Sequence, residues 1–206
     1  MVCIYLALGD SITAGYGVDR LFSFPVLYGN FLRRHNPDLS INNQGVNGLT
    51  THGLFELLEF NRTLRHLISQ ASLITITIGS NDLLHLIKNS MQSINIAQLR
   101  RTLYNMKKSL NKVGVVIRQL NPRAVVKVAT LYNPLSAGFY SQYHGLIQEV
   151  IDTANSLIVT WAKQYGFVVV CLDREIRKKG FSLKSSDNLH PNAYGYSVIA
   201  KAFARY

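Results

Sequence analysis

A strict alternation of short β-like runs with longer helical ones constrains this chain more than any other feature. Five runs read as strands: Val2 to Leu8, Ser40 to Asn43, Leu73 to Ile78, Ala124 to Leu131 and Phe167 to Leu172. The third and fifth are almost wholly apolar and β-branched, as strands covered on both faces are. Helical patterns of crossover length lie between them. The clearest sets Leu99, Leu103, Met106, Leu110, Val113, Ile117 and Leu120 at spacings of four and three, a single apolar stripe on a helix. Its basic residues fall largely off that stripe, and Asn121-Pro122 ends it. A last helix starts at Pro191 or Asn192, where proline is tolerated, and buries Val198, Ile199, Ala202 and Phe203. This order predicts one doubly wound α/β domain over residues 1–206, built on a mainly parallel sheet.

Composition narrows the class. A chain of 206 residues suits one domain with a substantial core. With 48% hydrophobic and 16% charged residues, a disordered chain is excluded. No apolar run approaches the roughly 18 residues that span a bilayer. Ser11 lies too near Met1 for a signal peptide to precede it. The expectation is therefore a cytoplasmic protein if the chain start is native, and a secreted one if an export segment has been removed. Cys3 and Cys171 each fall in a β-like run and are expected to be small buried hydrophobes. No Cys or His spacing suggests a metal site, and no cofactor motif is present.

The formal net charge is +11, and it is unevenly spread. Between Leu83 and Gln148 there is no Asp or Glu but nine Lys or Arg residues: Lys88, Arg100, Arg101, Lys107, Lys108, Lys112, Arg118, Arg123 and Lys127. Such a face suits contact with an anionic membrane, an acidic substrate or nucleic acid, and equally a solvated surface that keeps the protein soluble. No nucleic-acid motif accompanies it, so nucleic acid is not an expected partner.

In doubly wound folds, ligands bind beyond the carboxyl ends of the strands. Four polar blocks fall there. Ser11, in Gly9-Asp10-Ser11, follows the first strand; its hydroxyl is either a nucleophile awaiting a base or a helix N-cap. Gly48, in Asn47-Gly48-Leu49-Thr50, follows the second, in a stretch that also fits a plain loop. Asn81, in Gly79-Ser80-Asn81-Asp82, follows the third, where it caps a helix or aims its amide at a developing oxyanion. Asp82 suits a loop brace better than a reacting group. Asp187 precedes His190 by three residues after the fifth strand. That spacing lets the carboxylate hold the imidazole in one tautomer, ready to take a proton from a serine. His35, His52, His66, His85 and His144 have no such local partner.

Together these blocks resemble the SGNH hydrolases, the GDSL-type lipases and esterases, from residue 9 to residue 196. The resemblance implies a flavodoxin-like three-layer α/β/α sandwich with strand order 2-1-3-4-5. The first and fifth strands are then not neighbours, and Cys3 and Cys171 should not form a disulfide. It also implies that Ser11 is the nucleophile, His190 the base and Asp187 its orienting partner. The oxyanion hole would comprise the Ser11 and Gly48 N–H groups and the Asn81 amide, with no metal or cofactor. Leu49 stands where a polar residue often follows the block-two glycine, a difference that bears on substrate contacts.

The expected substrate is a small-molecule or lipid acyl ester. The basic middle of the chain makes a lysophospholipid or phospholipid the next reading, and such families also include thioesterases and carbohydrate deacetylases. The loop Tyr132 to Tyr140 sits on the active edge and is expected to line an acyl pocket. A basic binding module without catalysis is the rival from another class.

Overall fold

A computed structural model describes residues 3–88, 95–133, 144–178, 185–187 and 189–206. Five strands form one sheet in the order β2-β1-β3-β4-β5, and every pairing is parallel. They are β1 (Ile4–Gly9), β2 (Ser40–Gly45), β3 (Leu73–Thr77), β4 (Val125–Ala129) and β5 (Val168–Val170). Nine helices are described: α1 (Ser11–Ala14), α2 (Phe24–Arg33), α3 (Thr51–Phe60), α4 (Arg62–Gln70), α5 (Ser80–Lys88), α6 (Ile96–Leu120), α7 (His144–Gln164), α8 (Leu172–Arg177) and α9 (Ala193–Arg205). A 3₁₀ turn, Arg20–Phe22, precedes α2.

Alternate residues of each strand serve opposite layers. Leu6, Leu8, Ile74, Ile76, Val126 and Val128 pack with buried residues of α3, α4, α6 and α7. Tyr5 and Ala7 pack instead with Phe24 and Tyr28 of α2 and with Tyr196, Ile199 and Phe203 of α9. The result is the three-layer sandwich and strand order implied by the resemblance.

Boundaries differ from the sequence reading where polarity misleads. β2 runs on to Gly45, because Asn42, Asn43 and Gln44 hold register with Leu6, Ala7 and Leu8 despite their polar side chains. β5 is shorter than expected: Phe167 packs edge-on against Trp161, and Leu172 already opens α8. The last helix starts at Ala193, with the Asn192 side chain accepting from the Gly195 N–H as its cap. Cys3 and Cys171 are half-buried rather than buried, since each lies just outside its strand. Both are free thiols.

The stop at Asn121 does more than end α6. The buried Asn121 amide donates to the carbonyls of Ile68 (2.8 Å) and Ala71 (2.8 Å), and its oxygen accepts from the Ala124 N–H (2.9 Å). One side chain thus ties the entry of β3 to the entry of β4. Removing it takes the side-chain partner from the Ala71 carbonyl and the Ala124 N–H, while the Ile68 carbonyl still accepts from the Ala71 N–H, so Asn121→Ala is expected to lower unfolding free energy by about 2–4 kcal/mol. Urea denaturation checks this, and a loss below about 0.5 kcal/mol would show that the tie is dispensable.

Candidate functional site

The parallel registers bring Gly9, Gly45 and Thr77 level at the carboxyl edge. The chain leaves β1 there through Gly9 at φ 145°. A Cβ at that position would lie 2.2 Å from the Thr77 carbonyl oxygen, so only glycine permits the approach. Asp10 then caps α1: its Oδ1 accepts from the Ile12 N–H at 3.0 Å and from the Thr77 hydroxyl at 3.0 Å. Since Asp10 is the cap, the N-cap alternative for Ser11 does not apply. Ser11 is the first residue of α1, and its hydroxyl is left for other use.

That hydroxyl meets His190. Ser11 Oγ lies 2.9 Å from His190 Nε2, and His190 Nδ1 lies 2.6 Å from Asp187 Oδ2. A carboxylate only accepts, so Nδ1 carries the proton and Nε2 of the neutral ring is left as an acceptor for the serine hydroxyl. The His190 side chain is 14% exposed, enough shelter to hold it and enough opening to reach. Asp187 Oδ1 accepts from the Ser185 hydroxyl (2.7 Å) and from the N–H groups of Leu189 (2.9 Å) and His190 (2.9 Å). Partial burial opposes ionisation of Asp187. The hydrogen bonds from the His190 N–H and ring, the Ser185 hydroxyl and the Leu189 N–H outweigh it and hold the carboxyl well below the usual carboxylate range. The Asp187–His190 segment is pinned further where Ser185 N–H donates to the His190 carbonyl (2.8 Å) and Tyr132 Oη donates to the Leu189 carbonyl (3.2 Å).

Gly48 and Asn81 reach the same edge. A short turn runs from Val46 to Leu49, closed by Leu49 N–H to Val46 carbonyl at 3.1 Å, with Gly48 at φ 78°. Among the described residues, none but its chain neighbours comes within 4 Å of the point a Gly48 Cβ would occupy. Asn81, in the first turn of α5, donates from Nδ2 to the Leu49 carbonyl at 2.9 Å. An asparagine amide carries two N–H donors, and this bond leaves the second for the site. Asp82 accepts from the Thr51 N–H (2.9 Å) and hydroxyl (2.7 Å), the bracing expected of it. As the first residue of a helix, Ser11 has no intrahelical partner for its own N–H.

Several contributors were not legible in the chain. The Tyr16 ring lies against the His190 ring, centroids 4.4 Å apart, and the buried Tyr196 donates from Oη to the Tyr16 carbonyl at 3.0 Å. Thr13 donates to the Leu8 carbonyl (3.0 Å) and lies 2.7 Å from the Thr77 hydroxyl. All of these contacts but the local Thr13 bond join distant segments, so no local pattern announces them. The expected acyl-pocket loop is reached only at Tyr132 and Asn133; its residues 134–140 lie outside the described residues.

A hydroxyl, an imidazole and a carboxylate in this order can deprotonate an attacking oxygen, and the neighbouring N–H donors can receive a negative oxygen. Among the described residues, no group of three or more His, Cys, Asp or Glu side chains is placed to hold a metal ion. Among them, too, no helix is long and apolar enough to cross a membrane.

Residues 7–198 match the GDSL-like Lipase/Acylhydrolase family. A Bacillus subtilis (strain 168) protein known only as uncharacterized YpmR is 25% identical over 202 residues, 96% of this chain and 78% of its own length. Among solved structures, the lipase Lip_vut3 from a goat rumen metagenome superposes with a TM-score of 0.81 at 22% identity, covering 98% of this chain and 96% of that one. Axe2, an acetylxylan esterase from Geobacillus stearothermophilus, gives 0.75 at 18% identity, covering 98% and 92%.

Burial of Asp10 has a measurable consequence. It pushes the carboxyl up to about 7 from an ordinary 3.8, with the Ile12 and Thr77 hydrogen bonds opposing only in part. Between those values the native protein keeps a proton that the unfolded chain has lost, so stability falls as pH rises through that window. The penalty is complete above the native value and amounts to about 4 kcal/mol at most. Asp10→Asn keeps an acceptor oxygen without the charge. Scanning calorimetry should show the variant gaining melting temperature relative to wild type at pH 8 but not at pH 4. An equal shift at both pH values would place the charge elsewhere.

Proposed function

The chain belongs to the GDSL-like lipase/acylhydrolase family and is an ester-hydrolysing enzyme; from that membership we propose that it is a serine esterase of one hydrolase domain, working through Ser11, His190 and Asp187. The observation that carries the reading is the unbroken chain from Asp187 Oδ2 to His190 at 2.6 Å and from His190 to Ser11 Oγ at 2.9 Å.

The chemistry follows from that geometry. Ser11 Oγ attacks the acyl carbon as His190 Nε2 takes its proton, and Asp187 stabilises the imidazolium at Nδ1. The carbonyl oxygen becomes an anion facing the Ser11 N–H, the Gly48 N–H and the free N–H of Asn81. Collapse expels the alcohol, which receives the proton from His190 and leaves an acyl ester on Ser11. Water, deprotonated by the same nitrogen, attacks that ester and releases the acid. No step calls for a metal or cofactor.

Because two donors are backbone groups and the third is tethered to the Leu49 carbonyl, they need no reorganisation as charge develops. Substrate class follows less directly. Tyr16 beside His190 and Val46 beside the Gly48 turn are 47% and 44% exposed, which favours an acyl group or alcohol with apolar surface. That is the observation for a lysophospholipid or phospholipid as second reading; an acetylated sugar, as for the Axe2 relative, would leave it unused.

Ser11→Ala is expected to lower kcat on a short p-nitrophenyl ester at least about 10⁴-fold while leaving the melting curve in place. Asn81→Ala is expected to cost about 10²–10³ in kcat, with a smaller change in KM, because its donor acts on the transition state. Wild-type turnover by Ser11→Ala would remove Ser11 from the mechanism. An effect of Asn81→Ala confined to KM would remove its amide from the oxyanion site.

A further inference from the structure

Tyr16 is tied to both halves of the relay, yet the proton transfers give its ring no part. Its N–H donates to the Ser11 carbonyl at 3.0 Å. Its own carbonyl accepts from Tyr196 Oη at 3.0 Å, and the same hydroxyl lies 3.5 Å from the Ser11 carbonyl oxygen. Tyr196 is fully buried in α9, the helix that follows His190. The turn that carries Tyr16 is equally fixed. Gly15 before it stands at φ 81°, and a Cβ there would lie 2.5 Å from Ser23 Cβ, so the turn admits only glycine. The ring is thereby delivered against His190, with centroids 4.4 Å apart and planes at 41°.

Core packing does not account for this contact. Tyr16 is 47% exposed while the His190 side chain is 14% exposed, so the tyrosine covers the imidazole and is itself left open. The bonds at Nδ1 and Nε2 act in the plane of the imidazole. A ring on its face resists displacement out of that plane, and it also acts on charge. His190 is neutral before reaction and a cation once it holds the Ser11 proton. The face of a tyrosine ring is the negative part of its quadrupole and attracts a cation within about 6 Å of its centroid. A neutral imidazole is attracted less. The contact is therefore stronger in the transition state than in the resting enzyme, the condition for raising kcat without tightening substrate binding.

We propose that Tyr16 is a positioning residue for the base, its ring holding the plane of His190 and stabilising the imidazolium that forms as Ser11 gives up its proton. This rests on the assignment of Ser11 and His190 to the relay. No proton passes through Tyr16: the Ser11 O–H bond breaks, the Nε2–H bond forms, and the positive charge spreads over the imidazole. Asp187 meets that charge at the ring edge and Tyr16 meets it at the ring face. The contact is ring to ring, so the phenol hydroxyl is not its working part. A tyrosine that served only as a wall of the substrate site would act on KM instead.

Steady-state kinetics of Tyr16→Leu and Tyr16→Phe on a short p-nitrophenyl ester tests the proposal. Leucine keeps apolar bulk without a π face. Tyr16→Leu should lose about tenfold in kcat, with KM within about twofold of wild type and the melting curve in place. The acid limb of its kcat/KM profile should move to lower pH by about 0.5–1 unit, because an imidazolium without the ring sheds its proton sooner. Tyr16→Phe restores the π face without the hydroxyl and should bring kcat back to within about threefold of wild type, with the limb back in place. Wild-type kcat in Tyr16→Leu, a loss confined to KM, an unmoved acid limb, or a phenylalanine variant as slow as the leucine one would each overturn the proposal. Ser11→Ala separates the two readings. Turnover in that variant would overturn the serine assignment and this inference with it; a silent Ser11→Ala beside a Tyr16→Leu of full kcat would overturn this inference alone.

Discussion

The close approach of Gly9 to the Thr77 backbone sets everything else at the carboxyl edge. With no side chain at Gly9, β1 and β3 end level and the Asp10 N–H donates to the Thr77 carbonyl at 3.0 Å. Asp10 is thereby turned inward to cap α1, and Ser11 outward to meet His190. A larger residue at position 9 would push the two strand ends apart and move the Ser11 hydroxyl. A displacement of one ångström in such a constellation is enough to cost about 10²-fold in rate.

That arrangement is bought with an ionisable group in the wrong solvent. Asp10 is almost fully buried, and its hydrogen bonds only partly offset the loss of water. Asp187 is the opposite case, a carboxylate kept ionised by four hydrogen bonds at a half-open position. Two aspartates near one serine thus have separate tasks, one holding the backbone and one holding the His190 ring. Environment, and not residue type, distributes them.

Much of this was legible in the chain because the relevant physics is local. The β-branched runs of β3 and β5 mark parallel strands, although only β3 is central and β5 closes one edge of the sheet with Val168 exposed, and the spacing from Leu99 to Leu120 marks α6. Asp187 and His190 lie in one short loop, so their pairing is a matter of three residues. The misreadings have physical reasons too. β2 looked shorter because its inner residues are Asn and Gln, which bond locally as readily as they pair. Ser11 also read as a cap because a serine after a strand is often one; only the bond from the Ile12 N–H to Asp10 Oδ1 decides between them. Tyr16, Thr77 and Tyr196 carry no sequence signal, since their contacts span tens to nearly two hundred positions and depend on the register of the whole sheet.

The central claim is that Ser11 is the attacking atom and that the Ser11, Gly48 and Asn81 donors receive the oxyanion. A crystal structure of the protein after reaction with a p-nitrophenyl phosphonate tests it most directly. The account predicts phosphorus bonded to Ser11 Oγ, with the phosphoryl oxygen about 2.7–3.1 Å from the Ser11 N, the Gly48 N and the Asn81 Nδ2. An unmodified Ser11, or a phosphoryl oxygen turned to solvent away from those three nitrogens, would contradict it.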